Sequence, residues 1–205
     1  MTDQSVTNAK RSAILDAARA VFSRDTYATA SVDDIAAEAG IAKGTVYLYF
    51  KSKEEMYHAA LLRDIHEFGE KARDEMERVP TLREKIEAFL RVRLEYCSAH
   101  EDFLRIYLTE HDSICGNTVT GKQLRRLKRD NIRHLAKIID GAVRRGEIRS
   151  VPAGALAATL FDMARGLVER RLLGWKEFQV HGEIEFATGL LWQGIAVPGR
   201  PRREK

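Results

Sequence analysis

Between residues 43 and 53 the chain sets Lys43, Thr45, Tyr47, Tyr49, Lys51 and Lys53 within eleven positions. Their ammonium and hydroxyl groups are hydrogen-bond donors suited to phosphate oxygens and base-edge acceptors rather than to covalent chemistry. The flexible ammonium of Lys43 can reach guanine acceptors, which makes it the candidate base reader. Thr45 and Tyr47 suit phosphate oxygens, and Tyr49 suits either target. Gly44 has no side chain and lets the backbone lie close against a duplex. Lys51 and Lys53 stand beside the expected start of a helix, where the macrodipole disfavours cations unless an anion is near. A phosphate would be that anion, and a solvated turn is the competing explanation.

Groups of short reach need rigid support, and the flanking sequence supplies it. Val32, Ile35, Ala36 and Ala39 mark a short helix, for which Ser31 and Asp34 have the spacing of a capping box. Gly40 provides the left-handed stop, and a second short helix covers 43–49. Ile41, Val46 and Phe50 point back toward Ile35 and a preceding helix over 10–24, whose stripe is Ile14, Leu15, Ala18, Val21 and Phe22. Residues 31–50 therefore have the length and punctuation of a helix-turn-helix, whose second helix enters the major groove.

The remaining apolar residues also recur at helical spacing, and prolines occur only at 80, 152, 198 and 201. An all-α fold of about nine helices follows. Ser52 with Glu55 and Thr81 with Glu84 have capping-box spacing and open a fourth helix ending before Pro80 and a fifth running to 99. The others cover 101–111, 120–145, 152–174 and 183–195, with 115–120 as a loop. No apolar run reaches the roughly 18 to 20 residues that span a bilayer, and the start carries no signal-peptide core. Two cysteines, Cys97 and Cys115, suggest neither a disulfide framework nor a metal cluster. The expectation is a cytoplasmic protein without membrane contact or cofactor.

Charge alone does not argue for nucleic acid. The whole chain is at +4, yet residues 1–57 hold seven Lys/Arg against eight Asp/Glu, a net of −1. The surplus lies in 122–149, with ten Lys/Arg against three acids, and in the tail. Recognition must rest on placed groups.

The segments Ser-Val-Asp-Asp-Ile-Ala-Ala-Glu-Ala-Gly at 31–40 and Thr-Val-Tyr-Leu-Tyr-Phe-Lys-Ser-Lys-Glu-Glu-Met at 45–56 resemble the TetR family of bacterial transcriptional regulators. The close match covers about Lys10 to Leu62. The resemblance implies an N-terminal three-helix helix-turn-helix domain that binds double-stranded DNA and a C-terminal helical domain for effector binding and dimerisation. Repression is the family's usual mode, although the same fold serves activators. Carried over by position, the DNA contacts fall on Ser31, Lys43, Gly44, Thr45, Tyr47, Tyr49 and Lys53, with Lys51 close by. Ala42 stands where family members often have a capping hydroxyl residue, so the third helix is expected to be weakly capped. The expected domains are 1–53 for DNA, 54–198 for effector and dimer, and 199–205 as a basic disordered tail.

Two further expectations concern the C-terminal helices. The eighth and ninth carry more apolar surface than one buried face needs, which suits a four-helix homodimer interface including Leu160, Ala164, Leu167, Ile184, Ala187 and Leu191. A deeper core within one protomer is the alternative. Tyr96, Phe103, Tyr107, His111, His134, Phe161 and Arg165 are candidates to line a mixed pocket for a small lipophilic effector with a polar head. Arg165, amid apolar neighbours, needs Glu169, Asp162 or a ligand carboxylate as its partner. The basic face of the seventh helix, including Lys122, Arg125, Arg126, Arg129 and Arg133, is either solvated or a seat for an anionic ligand such as an acyl-CoA. No nucleophile elbow, phosphate loop or His-Glu-x-x-His arrangement is present, so enzymatic activity is not expected. A helical protein-interaction adaptor is the remaining competing function.

Overall fold

The computed structural model describes residues 3–25, 27–109, 119–175 and 179–197. Nine helices occur among them: α1 (Asp3–Arg24), α2 (Val32–Glu38), α3 (Lys43–Tyr49), α4 (Lys53–Glu77), α5 (Leu82–Ala99), α6 (Glu101–Thr109), α7 (Val119–Arg144), α8 (Ala153–Leu172) and α9 (Val180–Ile195). The only β-type pairing among the described residues is a bridge between Ile148 and Ala196, where Arg149 N–H donates to the Ile195 carbonyl at 3.0 Å.

α1 begins seven residues before its expected start at Lys10. Its first turns carry no apolar stripe, and Val6 is exposed, so periodicity has nothing there to detect. His111, Cys115 and the tail 199–205 lie outside the described residues.

Packing divides the chain elsewhere than after residue 53. One compact unit comprises Met1–Glu67 with Ala99–Arg125, the other Phe68–Ser98 with Arg126–Lys205. The start of α4 thus belongs with the helix-turn-helix, because Met56, Tyr57, Ala60 and Leu61 are buried. In this first unit the α1 stripe Ile14, Leu15, Ala18, Val21 and Phe22 is buried, and α1 packs on α2 and α6. The Tyr57 ring meets Phe22, Tyr27 and Phe103 at 5.4, 5.7 and 5.2 Å between centroids. Such aromatic pairs add to burial through their edge and face charges.

In the second unit Phe89, Leu90, Leu94, Leu135, Ile139, Leu160, Ala164 and Ile184 share one core. Lys85 Nζ donates to the carbonyls of Met76 and Val79, closing the corner between α4 and α5. Arg171 of α8 and Glu183 of α9 form a buried ion pair at 2.9 Å. α7 ends on Gly146 at φ 65, with Gly146 N–H bonded to Val143 O and Glu147 N–H to Ala142 O, both at 2.9 Å. This paired closure needs positive φ, which glycine adopts without a Cβ penalty.

Candidate nucleic-acid interface and a lined crevice

The helix-turn-helix is built from α2 and α3. The Ser31 hydroxyl caps α2 by accepting from Asp34 N–H at 3.1 Å, and Asp34 Oδ2 accepts from Ser31 N–H at 3.1 Å. That reciprocal pair completes the expected capping box. Hydrogen bonding to Ser31 holds the Asp34 carboxyl below its ordinary value. Gly40 follows at φ 66, with its N–H on Ala37 O at 3.1 Å and that of Ile41 on Ala36 O at 3.0 Å. Ile35, Ala36, Val46 and Phe50 are buried, which fixes α3 against its support. No side chain caps α3 at Ala42, in keeping with the departure read there.

The exposed face of α3 differs from the alternating set in the sequence. Lys43, Gly44, Tyr47 and Leu48 are exposed, whereas Thr45 and Tyr49 are half-buried beside Val46 and Phe50. Alternation is a strand period; on a helix the shared face falls at i, i+3 and i+4. Leu48, at 83% exposure, was missed although the 3.6-residue period would have found it. An apolar side chain in the major groove suits the thymine methyl group. A Cβ added at Gly44 would meet nothing within 4 Å, so the protein's own packing imposes no demand for glycine there.

The three lysines are placed very differently. Lys43 Nζ bonds the exposed Asp33 carboxylate at 2.8 Å, which raises its pKa. Such an exposed pair is weak in solvent and can open for a better acceptor. Lys51 is exposed, while its backbone N–H donates to Glu55 at 2.6 Å. Ser52 Oγ caps Glu55 N–H at 3.1 Å, so the expected box at α4 is displaced by one residue on its carboxylate side. Lys53 turns inward: its Nζ donates to the carbonyls of Tyr27 at 2.6 Å and Ala30 at 2.9 Å, and lies 4.7 Å above the Tyr27 ring. The ammonium that was expected on a phosphate ties the α1–α2 connection to the start of α4. Glu54 and Glu55 in the first turn of α4 already answer its dipole, so the two lysines need no external anion.

Of the expected effector residues, Phe103 belongs to the first unit, and Tyr96, His134, Phe161 and Arg165 to the second. Phe103 is buried against Tyr57, and Tyr96 packs on Phe68 at 5.3 Å. Arg165 is exposed and bonds Glu169 at 2.7 Å, which is one of the partners its position called for. The side chain of Tyr107, like all of His111, lies outside the description. His134 and Phe161 do share a crevice in the second unit, with Gly69, Ala72, Arg73, Met76, Phe89, Arg93, Asn131 and Leu135. The space they enclose is about 10 Å³, room for a single water.

Arg93 dominates this crevice and was not foreseen. Its guanidinium stacks over Phe89 at 4.0 Å, Phe161 at 4.5 Å and Phe68 at 5.2 Å. The residue as a whole is half-buried, but the guanidinium is enclosed and Nη1 has no hydrogen-bond partner among the described residues. Burial pushes its pKa down to about 9, so it keeps its charge at neutral pH. Burial also lowers the pKa of His134, helped by the nearby Arg73 cation. Of the rings around it only Phe161 was among the expected effector residues; Arg93 carried no signal, because one arginine in an amphipathic helix reads as surface.

The six expected interface residues divide along burial. Leu160, Ala164, Leu167, Ile184 and Ala187 are buried within one protomer, and Leu191 is half-buried against the same core. They serve the protomer's own packing, so the apolar surplus read in α8 and α9 was largely core. What remains outside is Phe186 at 65% and Leu190 at 64% exposure. On the basic side of α7, Lys128 bonds Asp162 of α8 at 3.0 Å, while Arg133 bonds Asp130 at 3.0 Å and Arg144 bonds Asp140 at 2.6 Å within the helix.

Comparison with known proteins agrees with this architecture. Residues 14–60 match the family described as bacterial regulatory proteins, tetR family. An HTH-type transcriptional repressor of Streptomyces coelicolor is 30% identical over 160 residues, covering 78% of this chain and 79% of that protein. An uncharacterized HTH-type transcriptional regulator of Bacillus subtilis is 24% identical over 182 residues, covering 89% of this chain and 92% of that protein. The crystal structure of the transcriptional regulator FadR from Bacillus subtilis, in complex with stearoyl-CoA, shares the fold at TM-score 0.73 and 22% identity, over 89% of this chain and 97% of that one. With a buried-backed helix-turn-helix at its N-terminus and relatives that extend along most of its length, the chain belongs to the TetR family of bacterial transcriptional regulators.

Proposed function

We propose that the protein is a cytoplasmic repressor that binds a pseudo-palindromic operator as a homodimer and is released by a small-molecule effector. The observation that carries the DNA part is the outward face of α3, where Lys43, Gly44, Tyr47 and Leu48 stand exposed on a helix held by Val46 and Phe50. Two copies of this short helix, set roughly 34 Å apart, match successive major grooves on one side of a duplex. Residues 1–53 supply the DNA contacts, and 54–198 supply effector binding and dimerisation. The exposed Phe186 and Leu190 of α9 support an isologous contact between two copies. Binding of stearoyl-CoA by a relative of the same fold supports a ligand in the helical portion. Effector binding then lowers operator affinity by changing the separation of the two recognition helices.

An electrophoretic mobility shift with the duplex upstream of the protein's own gene tests this. Wild type shifts the duplex as a single dimer complex, and Tyr47→Ala, which removes a phosphate contact from each protomer, weakens binding at equal thermal stability. Equal binding by wild type and variant would refute the assignment of α3.

A further inference from the structure

Three helices of the second unit leave between them a space for one small occupant. Arg73 of α4, Arg93 of α5 and His134 of α7 all line the crevice, which encloses about 10 Å³. Arg73 Nε, Arg93 Nη1 and His134 Nε2 are buried without a hydrogen-bond partner among the described residues. No Asp or Glu lines the crevice. The charge of Arg73 is answered at its other end, where Nη1 donates to Glu70 and Nη2 to Asn131 Oδ1 at 2.6 Å. The enclosed guanidinium of Arg93 has the rings of Phe89, Phe161 and Phe68 around it. Ring faces attract a cation but do not cancel its charge, and a buried charge without a counter-charge is costly.

We propose that the crevice holds a monatomic anion, chloride, which joins α4, α5 and α7 by accepting from Arg73 Nε, Arg93 Nη1 and the Nε2–H of His134. Size and donor set select this class. A space that admits one water admits a single ion of little greater size and excludes an organic acid or a phosphate. All three orphaned atoms can donate, and a halide accepts from several donors at once with no hydrogen of its own to place. A water would need acceptors for its two hydrogens, whereas Asn131 Oδ1 in the wall already receives Arg73 Nη2. It would also leave the Arg93 charge unanswered. Burial holds the pKa of His134 below its ordinary value, so near pH 7 the ring donates through its neutral Nε2–H tautomer without adding a second charge. One cation therefore meets one monoanion. The ion is a fixed part of the protein's interior, separate from the effector that the proposed function requires.

Urea unfolding of the full-length protein in mixtures of sodium chloride and sodium gluconate at one ionic strength tests this. A ligand held only by the folded state raises the folding equilibrium constant with its concentration, so wild type gains about threefold to tenfold as chloride rises from about 10 to about 100 mM. Bromide gives the same gain. Arg93→Met removes the charge while keeping an apolar stem, and its folding equilibrium no longer responds to chloride. Wild-type crystals grown in bromide show an anomalous peak within hydrogen-bond reach of Arg93 Nη1. Equal stability of wild type in chloride and gluconate, or an equal chloride response in Arg93→Met, would overturn the proposal. So would a water in place of bromide in the crevice, or an adventitious ion only, with bromide in the crystal and no halide dependence in solution. The gluconate comparison and the bromide crystals use wild type alone, so they decide the question even where Arg93→Met fails to fold.

Discussion

At the scale of single residues, the sharpest division is between lysines two positions apart. Lys51 and Lys53 have the same chemistry and the same place in the motif, yet Lys53 Nζ bonds the carbonyls of Tyr27 and Ala30 while Lys51 is exposed. Removing Lys53 strands those carbonyls, so Lys53→Met is expected to cost about 1–3 kcal/mol in urea unfolding. Lys51→Met is expected to leave stability within about 0.5 kcal/mol and to lower the salt slope of DNA binding by about two, one for each protomer of the dimer. Loss of stability on changing Lys51, with none on changing Lys53, would reverse the assignment. The sequence shows which residues can donate to phosphate; it does not show which donors the protein has already engaged.

At the scale of elements, the helices were legible because burial imposes its period on them. Ile14, Leu15, Ala18, Val21 and Phe22 form a stripe in the sequence and are the buried face of α1. Gly40 ends α2 where a positive φ was expected. The outward face of α3 was legible only in part: Lys43, Gly44 and Tyr47 were named, and Leu48 was missed because alternation was followed in place of the helical period. The partners of charged residues across elements were not legible. Arg171 and Glu183, on different helices, meet in a buried pair that no spacing rule announces. Glu183→Ala removes the buried carboxylate that Arg171 Nη1 bonds at 2.9 Å, and the expected loss of stability exceeds that of a surface substitution; a change in Tm no larger than that of a surface substitution would contradict the pair's importance.

At the scale of the whole molecule, stability and assembly follow from what is enclosed. His58, His100 and His134 all have pKa values lowered from the ordinary 6.5, each chiefly by burial. The unfolded chain then binds more protons than the folded one near pH 6, so stability is full above about 6.5 and falls as the pH drops through the lowered values. Urea midpoints should decrease from pH 7.5 to 5.5, by a smaller amount in His134→Gln. A midpoint that rose on acidification would contradict the burial of these rings. Assembly was the least legible property, since α8 and α9 spend most of their apolar residues inside the protomer and leave Phe186 and Leu190 outside.

The measurement that bears most directly on the whole account is fluorescence anisotropy of a labelled duplex from upstream of the gene, titrated with protein across a range of salt concentrations. A dimer reading two major grooves predicts saturation at two chains per duplex. Affinity for this duplex should exceed that for a scrambled one by about a thousandfold or more, and binding should weaken steeply with salt as phosphate contacts release counterions. Equal affinity for both duplexes, or binding indifferent to salt, would contradict it.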